Sequence, residues 1–203
     1  MAAIILVDDD PAILDSLGSR LTLAGHAVET HDDAQQFLAE TDLQNADCVM
    51  LDIRMPKSDG MDVLEQLQRR DPSLPVIMMT GHGDVDIAVS AIQKGAVDFL
   101  EKPFADSRLM DAIDKAVAQR NTVREQSAER AELATRMDSL TPRELDVFRE
   151  LVTGQPNKVI AYNLGCSPRT VEIHRARVMT KMKAKNLADI VRMAMRLEIQ
   201  NNA

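Results

Sequence analysis

The chain has 203 residues, of which 45% are hydrophobic and 28% are charged, with one Tyr and no Trp. This composition is typical of a globular protein and excludes the disordered and fibrous classes. Its two cysteines, Cys48 and Cys166, lie far apart, which argues against a disulfide framework and favours a reducing compartment. The apolar run from Met1 to Val7 is too short for a signal peptide, and no apolar run approaches the length of a membrane span. We therefore expect a soluble, cytoplasmic protein.

The net charge of −8 is unevenly distributed along the chain. Residues 1–120 hold 22 acidic and 10 basic side chains, a net charge of −12, whereas residues 139–203 hold 6 and 11, a net charge of +5. Residues 121–138 hold 4 acidic and 3 basic side chains, a net charge of −1. An acidic and a basic half suggest two tasks, and the basic half is either a nucleic-acid-binding surface or ordinary basic surface.

Short apolar runs alternate with amphipathic helical patterns in the first half. The predicted strands are Ala3–Val7, Ala27–Thr30, Cys48–Leu51, Pro75–Met79 and Val97–Leu100. The predicted helices lie around Ile13 to Leu23, at Ala34–Glu40, Met61–Arg70 and Asp84–Lys94, and from Asp106 onward. After the third strand, Pro56, Ser58 and Gly60 are expected to interrupt regular structure. This alternation predicts an α/β fold with a doubly wound, five-stranded parallel sheet.

The segment from Phe104 to Thr141 contains no Gly and no Pro, so the last helix of the first half is expected to continue through the linker. About thirty helical residues would span roughly 45 Å. Its apolar positions follow a heptad seam that Arg120, Ser127 and Arg130 interrupt. The seam consists of Leu109, Ile113, Ala116, Arg120, Val123, Ser127, Arg130, Ala134 and Met137. A solvated connecting helix and a coiled coil both fit, and we favour the connecting helix.

The last part of the chain has an all-helical pattern. Thr141, Pro142 and Glu144 form the start signal of a helix that reaches about Val152. Further helices are predicted at Asn157–Leu164, from Pro168 to about Met182, and at Leu187–Leu197. Two helices joined by a short Gly-containing turn give the outline of a helix-turn-helix within an all-α four-helix domain.

Polar residues follow four of the predicted strands. Asp8, Asp9 and Asp10 follow the first strand, Asp52 the third, Thr80 the fourth, and Lys102 the fifth. Because the carboxyl ends of parallel strands meet at one edge, these side chains are expected to converge. Converging carboxylates repel, and a hard divalent cation such as Mg²⁺ resolves that repulsion. Phosphoryl transfer to a carboxylate needs such an ion with a cation and a donor, which predicts Asp52 as the phosphate acceptor with Lys102 and Thr80 beside it.

Residues 1–120 resemble a two-component receiver domain from end to end. The motifs that carry the resemblance are Val7-Asp8-Asp9, Asp52-Ile53-Arg54-Met55-Pro56, Thr80-Gly81-His82-Gly83-Asp84 and Phe99-Leu100-Glu101-Lys102-Pro103-Phe104. The resemblance implies that a sensor histidine kinase phosphorylates Asp52 and that Lys102 contacts the acyl phosphate. It also implies that Asp9, Asp52 and the carbonyl of Arg54 hold Mg²⁺ or Mn²⁺, with Asp8 acting through water. Thr80 and Phe99 would form the switch pair; many receivers carry Tyr where this chain has Phe99, so switching rests on ring orientation and packing.

A helical wheel divides residues 168–183 into a core side and an exposed side. Val171, Val178 and Met182 cluster on the core side, and His174 at its edge is expected to pack. The opposite side fits a recognition helix in the major groove, or a solvated helix surface. On the first interpretation Arg169 reads guanine and Glu172 accepts from cytosine. The exposed side comprises Arg169, Ile173, Ala176 and Thr180, flanked by Thr170, Glu172, Arg177 and Lys183, and the expected phosphate contacts are Lys158, Arg177, Lys181 and Lys183.

The last 65 residues resemble the LuxR-type DNA-binding domain. The motifs are Leu140-Thr141-Pro142-Arg143-Glu144, Pro156-Asn157-Lys158-Val159-Ile160-Ala161 and Ser167-Pro168-Arg169-Thr170-Val171-Glu172-Ile173-His174. Some family members carry Lys where this chain has Glu172 and Ala176. The whole chain is similar to response regulators of the FixJ type, which are transcriptional activators of nitrogen-fixation genes.

That resemblance implies three domain ranges: a receiver at residues 1–120, a helical linker at 121–138 and a DNA-binding domain at 139–203. It implies a homodimer formed on phosphorylation through the fourth helix, the fifth strand of the sheet and the fifth helix. It further implies binding to double-stranded promoter DNA, with the Leu187–Leu197 helix pairing two DNA-binding domains, and RNA polymerase as a partner. The chain is expected to transfer phosphate only to its own Asp52 and not to be an enzyme.

Two other classes of function remain open from the residues alone. A metal-dependent phosphohydrolase would use Asp8 as its nucleophile, although the Asp-x-Asp-x-Thr spacing of such enzymes is missing. An interaction adaptor would have a basic domain that does not bind DNA. Of the histidines, His26 and His31 are expected at the surface and His82 in the switch loop, and Cys48 is expected in the core.

Overall fold

The structure is a computed structural model that describes residues 1–81 and 85–197. The predictions that concern His82 and the helix start at Asp84 lie outside the described residues. The chain divides into two compact units, Met1–Arg124 and Glu125–Ala203. None of the helices within the described ranges is long and apolar enough to cross a bilayer.

The first unit is built on a five-stranded parallel sheet. Its strands follow the order β2-β1-β3-β6-β7, which is the flavodoxin-like order of a doubly wound fold. The predicted fold class is therefore confirmed. The strands are β1 (Ala3–Val7), β2 (Ala27–His31), β3 (Cys48–Asp52), β6 (Val76–Thr80) and β7 (Asp98–Glu101).

Helices cover both faces of this sheet, and alternate residues of each central strand serve the two faces. In β3, Val49 and Leu51 pack into one apolar cluster, whereas Cys48 and Met50 pack into the other. The period of two residues in a strand produces this division. Burial raises the pKa of the Cys48 thiol to about 12, and Asp47 adds to the effect. The helices of this unit are α1 (Pro11–Leu23), α2 (Ala34–Glu40), α3 (Gly60–Arg70) and α4 (Val85–Gln93).

The segment after β3 corrects one prediction. Residues 56–60 were expected to interrupt regular structure, but β4 (Arg54–Met55) and β5 (Ser58–Asp59) form an antiparallel hairpin. Pro56 and Lys57 provide the two-residue turn between them. Helix α3 begins at Gly60, because the Asp59 side chain caps it by accepting from the Met61 amide at 2.8 Å.

Helix α5 (Asp106–Asp138) runs without a break through the predicted linker. The first seam positions, Leu109 and Ile113, are fully buried against the sheet. Arg120 does not interrupt this packing, since it is only 4% exposed and its Nη2 lies 2.8 Å from Asp71 Oδ2. Arg124 lies 2.5 Å from Asp47 and donates to the Gln44 and Ala46 carbonyls. These contacts fix α5 to the amino-terminal ends of β3 and β6.

The second unit contains the predicted all-α helix-turn-helix arrangement. The capping box of Thr141 and Glu144 is present, with hydrogen bonds of 3.3 and 2.9 Å. Val171, Val178 and Met182 are fully buried, as the helical wheel predicts. The further helices here are α6 (Pro142–Val152), α7 (Asn157–Asn163), α8 (Pro168–Met182) and α9 (Leu187–Arg196).

Candidate functional site

The carboxyl ends of β1, β3 and β7 bring three of the predicted side chains into direct contact. Lys102 Nζ lies 2.5 Å from Asp8 Oδ2 and 2.6 Å from Asp52 Oδ1. Asp8 is 1% exposed and Asp52 is 5% exposed, so the two carboxylates share one ammonium group in a largely buried position. The backbone supports this arrangement, because the Lys102 amide donates to the Thr80 carbonyl at 2.7 Å.

The second oxygen of Asp52 is held by the chain that follows it. Its Oδ2 accepts a hydrogen bond from the Arg54 amide at 2.7 Å. Gly60 closes the same loop, since its amide donates to the Ile53 carbonyl at 2.8 Å. A Cβ atom on Gly60 would lie 2.1 Å from the Asp52 carbonyl oxygen and 2.7 Å from Ile53 Cα. Only glycine fits there, so Gly60 sets the position of the Asp52 backbone.

Burial is the largest single influence on the pKa values of Asp52 and Lys102. It raises the pKa of Asp52 above its ordinary value, although Lys102 acts in the opposite direction. Burial also acts to lower the pKa of Lys102, but its hydrogen bonds to Asp52 and Asp8 outweigh that effect and raise the pKa. The lysine is therefore held as a cation, whereas the charge on Asp52 is only partly compensated.

The donors present here suit a hard divalent cation. Asp8 and Asp52 bring two negative charges against the one positive charge of Lys102, Asp9 lines the neighbouring cleft, and all the donor atoms are oxygens, as Mg²⁺ prefers. Within residues 1–81 and 85–197, however, no three His, Cys, Asp or Glu side chains are grouped as metal ligands. Lys102 fills the space between two of the carboxylates instead. A metal ion would therefore require these side chains to rearrange.

A cleft opens beside the buried carboxylates. It has a volume of about 1000 Å³, and Asp9, Ile53 and Arg54, which directly follow Asp8 and Asp52 in the chain, line it. Met61 and Ile87 line its wall. The cleft is thus lined by the chain neighbours of both buried carboxylates.

The two predicted switch residues differ in burial. Thr80 is 1% exposed at the end of β6, whereas Phe99 is half-buried and packs against one core cluster of the sheet. Phe99 also lines a second cavity of about 480 Å³ with Val85 and Phe104. A rotation of the Phe99 ring has space on this side.

The predicted DNA-contacting residues divide into two sets. Ile173 is 45% exposed, and Thr170 is held at the start of α8 by a 2.9 Å hydrogen bond to Ser167. Arg169 and Glu172 contact each other at 3.2 Å, which aligns both side chains on the exposed face. The exposed set comprises Lys158, Arg169, Glu172, Ile173, Arg177 and Lys183.

Lys181 belongs to the other set, because its ammonium group already has partners. It lies 2.7 Å from the carboxylate of Glu144 and donates to the Ser139 carbonyl at 2.8 Å. The hydrogen bond from Lys181 and a second from the Thr141 amide lower the pKa of Glu144 to about 2. Lys183 is exposed but does not lie on the helix as the helical wheel assumed, because α8 ends at Met182 and Lys183 is its left-handed C-cap with φ of 55°. The phosphate contacts of Lys181 and Lys183 stay predictions.

Sequence reasoning missed several residues that shape these sites. Gly60 carries no signal of its own, because its role depends on a backbone approach that only the fold creates. The cis peptide bond between Lys102 and Pro103 was also missed. His31 is not a simple surface residue, since its ring packs on Phe37 at 5.2 Å and its backbone carbonyl accepts from the Asp8 amide at 3.1 Å. The contact with the Asp8 amide depends on the pairing of β1 with β2 and therefore has no local signal.

Two family matches cover most of the chain. Residues 4–114 match the response regulator receiver domain, and residues 138–194 match the bacterial regulatory proteins of the luxR family. Transcriptional regulatory protein FixJ of Bradyrhizobium diazoefficiens is 45% identical over 199 residues, covering 98% of this chain and 97% of that protein.

Two solved structures are similar over nearly the whole chain. The response regulator StyR has a TM-score of 0.83 and 34% identity, covering 97% of this chain and 100% of that one. Full-length FixJ from B. japonicum has a TM-score of 0.58 and 44% identity, covering 98% of each chain. These similarities agree with a transcriptional regulator and give no support to a phosphohydrolase or an adaptor without DNA binding. The chain belongs to the two-component response regulators of the FixJ type, with a receiver domain followed by a LuxR-type DNA-binding domain.

Proposed function

We propose that a sensor histidine kinase phosphorylates this protein on Asp52 and that the phosphorylated form activates transcription. The observation that carries the proposal is the sharing of Lys102 between the buried carboxylates of Asp8 and Asp52. A purely structural ion pair needs one carboxylate per ammonium group, whereas this arrangement leaves negative charge uncompensated. Uncompensated oxygens beside an open cleft are suited to binding a cation and a phosphoryl donor.

Asp52 is the nucleophile in this mechanism. One of its carboxylate oxygens forms the new bond to phosphorus while the bond from phosphorus to the kinase histidine breaks. Asp9, Asp52 and the Arg54 carbonyl would hold Mg²⁺ or Mn²⁺, with Asp8 acting through water. When bound, the ion neutralises the phosphoryl oxygens. Lys102 then transfers its hydrogen bond from the carboxylates to a phosphoryl oxygen.

The switch follows from the same event. The Thr80 hydroxyl donates to another phosphoryl oxygen, and the Phe99 ring turns inward into the space that Thr80 leaves. A change from 1:99 to 99:1 in favour of the active form requires a differential of roughly 5.5 kcal/mol. Acyl-phosphate contacts together with dimerisation would supply it.

Dimerisation is proposed through the face of α4, β7 and α5, where β7 is the fifth strand of the sheet. Three apolar side chains support this choice, because Val85, Val89 and Ile92 follow one side of α4 and are 74%, 49% and 49% exposed. Burying such a stripe between two copies removes apolar surface from water.

The DNA-binding unit would then engage promoter DNA with α8 in the major groove. Arg169 and Glu172 are its proposed base-reading pair, and Thr170 and Ile173 lie beside them. Lys158, Arg177, Lys181 and Lys183 are the proposed phosphate contacts. Two copies would pair through α9, contact RNA polymerase and activate genes of the nitrogen-fixation type. Since the kinase and the promoter are its partners, the cytoplasm would be its place of action.

Phosphate labelling tests the first step. Full-length protein is incubated with a radiolabelled small-molecule phosphodonor and Mg²⁺, and the label is counted after gel separation. Asp52→Asn is expected to remove the label completely, whereas Asp62→Asn, an equally conservative change on the exposed side of α3, is expected to retain it. Undiminished labelling of Asp52→Asn would disprove the assignment.

Sedimentation and DNA binding test the later steps. Phosphorylation is expected to convert the protein to dimers, and Val89→Asp to keep labelling but block dimerisation. Binding to duplex DNA should weaken steeply as salt is raised, with a slope of about −0.9 for each phosphate contacted. Salt-independent binding would favour the adaptor class instead.

A further inference from the structure

The last turns of α5 contact the carboxyl-terminal end of α8 inside the second unit. Arg136 Nη1 donates to the Met182 carbonyl at 3.2 Å, and Lys181 donates to the Ser139 carbonyl at 2.8 Å. Glu132 lies 3.8 Å from the ammonium group of Lys183 and 2.5 Å from Arg136. The carboxyl-terminal end of α8 therefore has partners on or just after α5 at three consecutive residues, Lys181, Met182 and the C-cap Lys183.

The Arg136 hydrogen bond meets a specific need of α8. The last carbonyls of a helix have no partner within the helix and must find one elsewhere. Lys183 adopts a left-handed conformation, and its amide and that of Ala184 return to the Thr180 and Met179 carbonyls. The Met182 carbonyl accepts from Arg136 instead. In its final turn, α8 thus depends on α5 for a partner to the Met182 carbonyl.

The same segment of α5 is packed and paired as part of the second unit. Leu133 is 4% exposed, and the Arg136 side chain is 20% exposed. Glu129 pairs with Arg196 of α9. The match to the luxR family covers residues 138–194 and so excludes Glu129, Glu132, Leu133 and Arg136. These contacts are consequently additional to those of the family domain.

We propose that residues 129–138 of α5, together with Ser139, form a brace that positions α8 for DNA, with Arg136 as its positioning residue. The proposal rests on the DNA-binding function of the second unit. The phosphate-contacting candidates Lys181 and Lys183 lie on the braced turn, so a loosened turn would hold them less well against a phosphate backbone. Arg136 itself does not need to contact DNA for this effect.

Hydrogen exchange of the full-length protein tests the brace. Arg136→Gln is expected to speed exchange of the amides of residues 179–184 by about tenfold, because a hydrogen bond from a charged donor is lost there. Arg149→Gln is the matched control, since Arg149 is exposed on α6, and it should leave these amides unchanged. Arg136→Lys, which keeps a charged donor, should restore most of the protection.

Glu132→Gln is a milder second variant, which keeps the test valid if Arg136→Gln unfolds the second unit. It retains the Arg136 donor but removes the carboxylate that orients it, so a smaller acceleration is expected, confined to residues 179–184. If Arg136→Gln also speeds exchange in α6, the whole unit is loosened, and the Glu132→Gln result then decides whether the brace exists. Unchanged exchange at residues 179–184 in both variants would overturn the brace.

Binding to a mixed-sequence DNA duplex separates positioning from direct contact. Arg136→Gln is expected to weaken binding several-fold with a nearly unchanged salt slope, because Lys181 and Lys183 keep their charges and lose only a fixed geometry. Loss of a direct phosphate contact would instead reduce the slope by about one. A slope reduced by one would overturn the positioning role. If the unmodified protein binds no duplex, the DNA-binding function fails and the positioning role with it, but the exchange result still decides whether the brace exists.

Discussion

Each unit of the chain contains a lysine that is bound by a buried carboxylate, and the two arrangements differ in how completely charges are matched. Lys102 in the first unit faces two carboxylates, those of Asp8 and Asp52. Lys181 in the second unit faces the single carboxylate of Glu144 and the Ser139 carbonyl. The first arrangement has more negative charge than its cation neutralises, whereas the second is balanced.

The pKa values of Asp52 and Glu144 are shifted in opposite directions, in line with this difference in charge balance. Burial raises the pKa of Asp52, whereas the hydrogen bond from Lys181 leads the effects that lower the pKa of Glu144 to about 2. A balanced pair stabilises a fold, and an unbalanced one retains affinity for further positive charge. A lysine paired with a buried carboxylate is thus charge-balanced in one unit and unbalanced in the other.

Removing the shared cation should have the largest effect. Lys102→Met leaves Asp8 and Asp52 buried without a counter-charge, and we expect the first unit to lose about 3 kcal/mol of unfolding free energy at neutral pH. Urea denaturation followed by hydrogen exchange measures the loss. Lys57→Met, at an exposed ion pair with Asp33, is the control and should change stability much less. An equal effect of the two changes would contradict the comparison.

Removing the balanced cation should cost somewhat less. Lys181→Met leaves Glu144 unpaired, but the Thr141 amide still donates to it, and Lys181 is 35% exposed. We expect a loss of about 2 kcal/mol, confined to the second unit. Tyr162, the only tyrosine in a chain without Trp, provides a fluorescence signal from that unit. A loss larger than that of Lys102→Met would reverse the proposed ranking.

Magnesium should distinguish the two units. A tenfold excess of Mg²⁺ over its dissociation constant stabilises a protein that binds it by about 1.4 kcal/mol. We expect this gain in the first unit alone, measured from exchange of its β3 amides with and without Mg²⁺. Chelation should reverse the gain, and Asp9→Asn should abolish it. A similar gain in the second unit would show that the ion acts unspecifically.

Acid should act on the two carboxyl groups with opposite signs. The pKa of Glu144 is lowered to about 2 from an ordinary value of 4.5, so its contribution to stability is present above pH 4.5 and is lost between pH 4.5 and 2. The pKa of Asp52 is raised, so its contribution is present below its ordinary value of 3.8 and is lost as pH rises through its folded pKa.

Two amide variants measure these signs. Glu144→Gln should flatten the loss of second-unit stability between pH 4.5 and 2, as followed by Tyr162 fluorescence. Asp52→Asn should raise first-unit stability at neutral pH by less than about 1 kcal/mol, and the gain should vanish below pH 3.8. A stability loss in Asp52→Asn at neutral pH would mean that the Lys102 contact outweighs the burial cost.

The sequence predicted the sheet, its strands and the convergence of Asp8, Asp52 and Lys102, because each depends on the local hydrophobic period and on the position of strand ends. The hairpin after β3 was missed because Pro56 was interpreted only as an interruption, and a turn between two-residue strands has little local signal. The direct contact of Lys102 with both carboxylates was also missed. It depends on side-chain rotamers that charge balance selects only after the strands are in place.

In the linker, the heptad pattern was misleading for a different reason. In the sequence, Arg120 looks like a polar interruption of the apolar heptad positions. In the structure it pairs with Asp71, which lies in a loop 49 positions earlier in the chain. No helical periodicity contains that information. The same holds for Arg136, whose partner is a backbone carbonyl of α8.

The attachment of α5 through Arg120 and Arg124 has a consequence for protein engineering. A chimera that joins this receiver to a different output domain could be cut where the match to the receiver family ends, at residue 114. Such a cut would discard both arginines and expose Asp71 and Asp47 without their partners. A junction placed after Arg124 keeps the complete sensory module, and the exposed residues 125–128 provide a splice point that leaves both ion pairs intact.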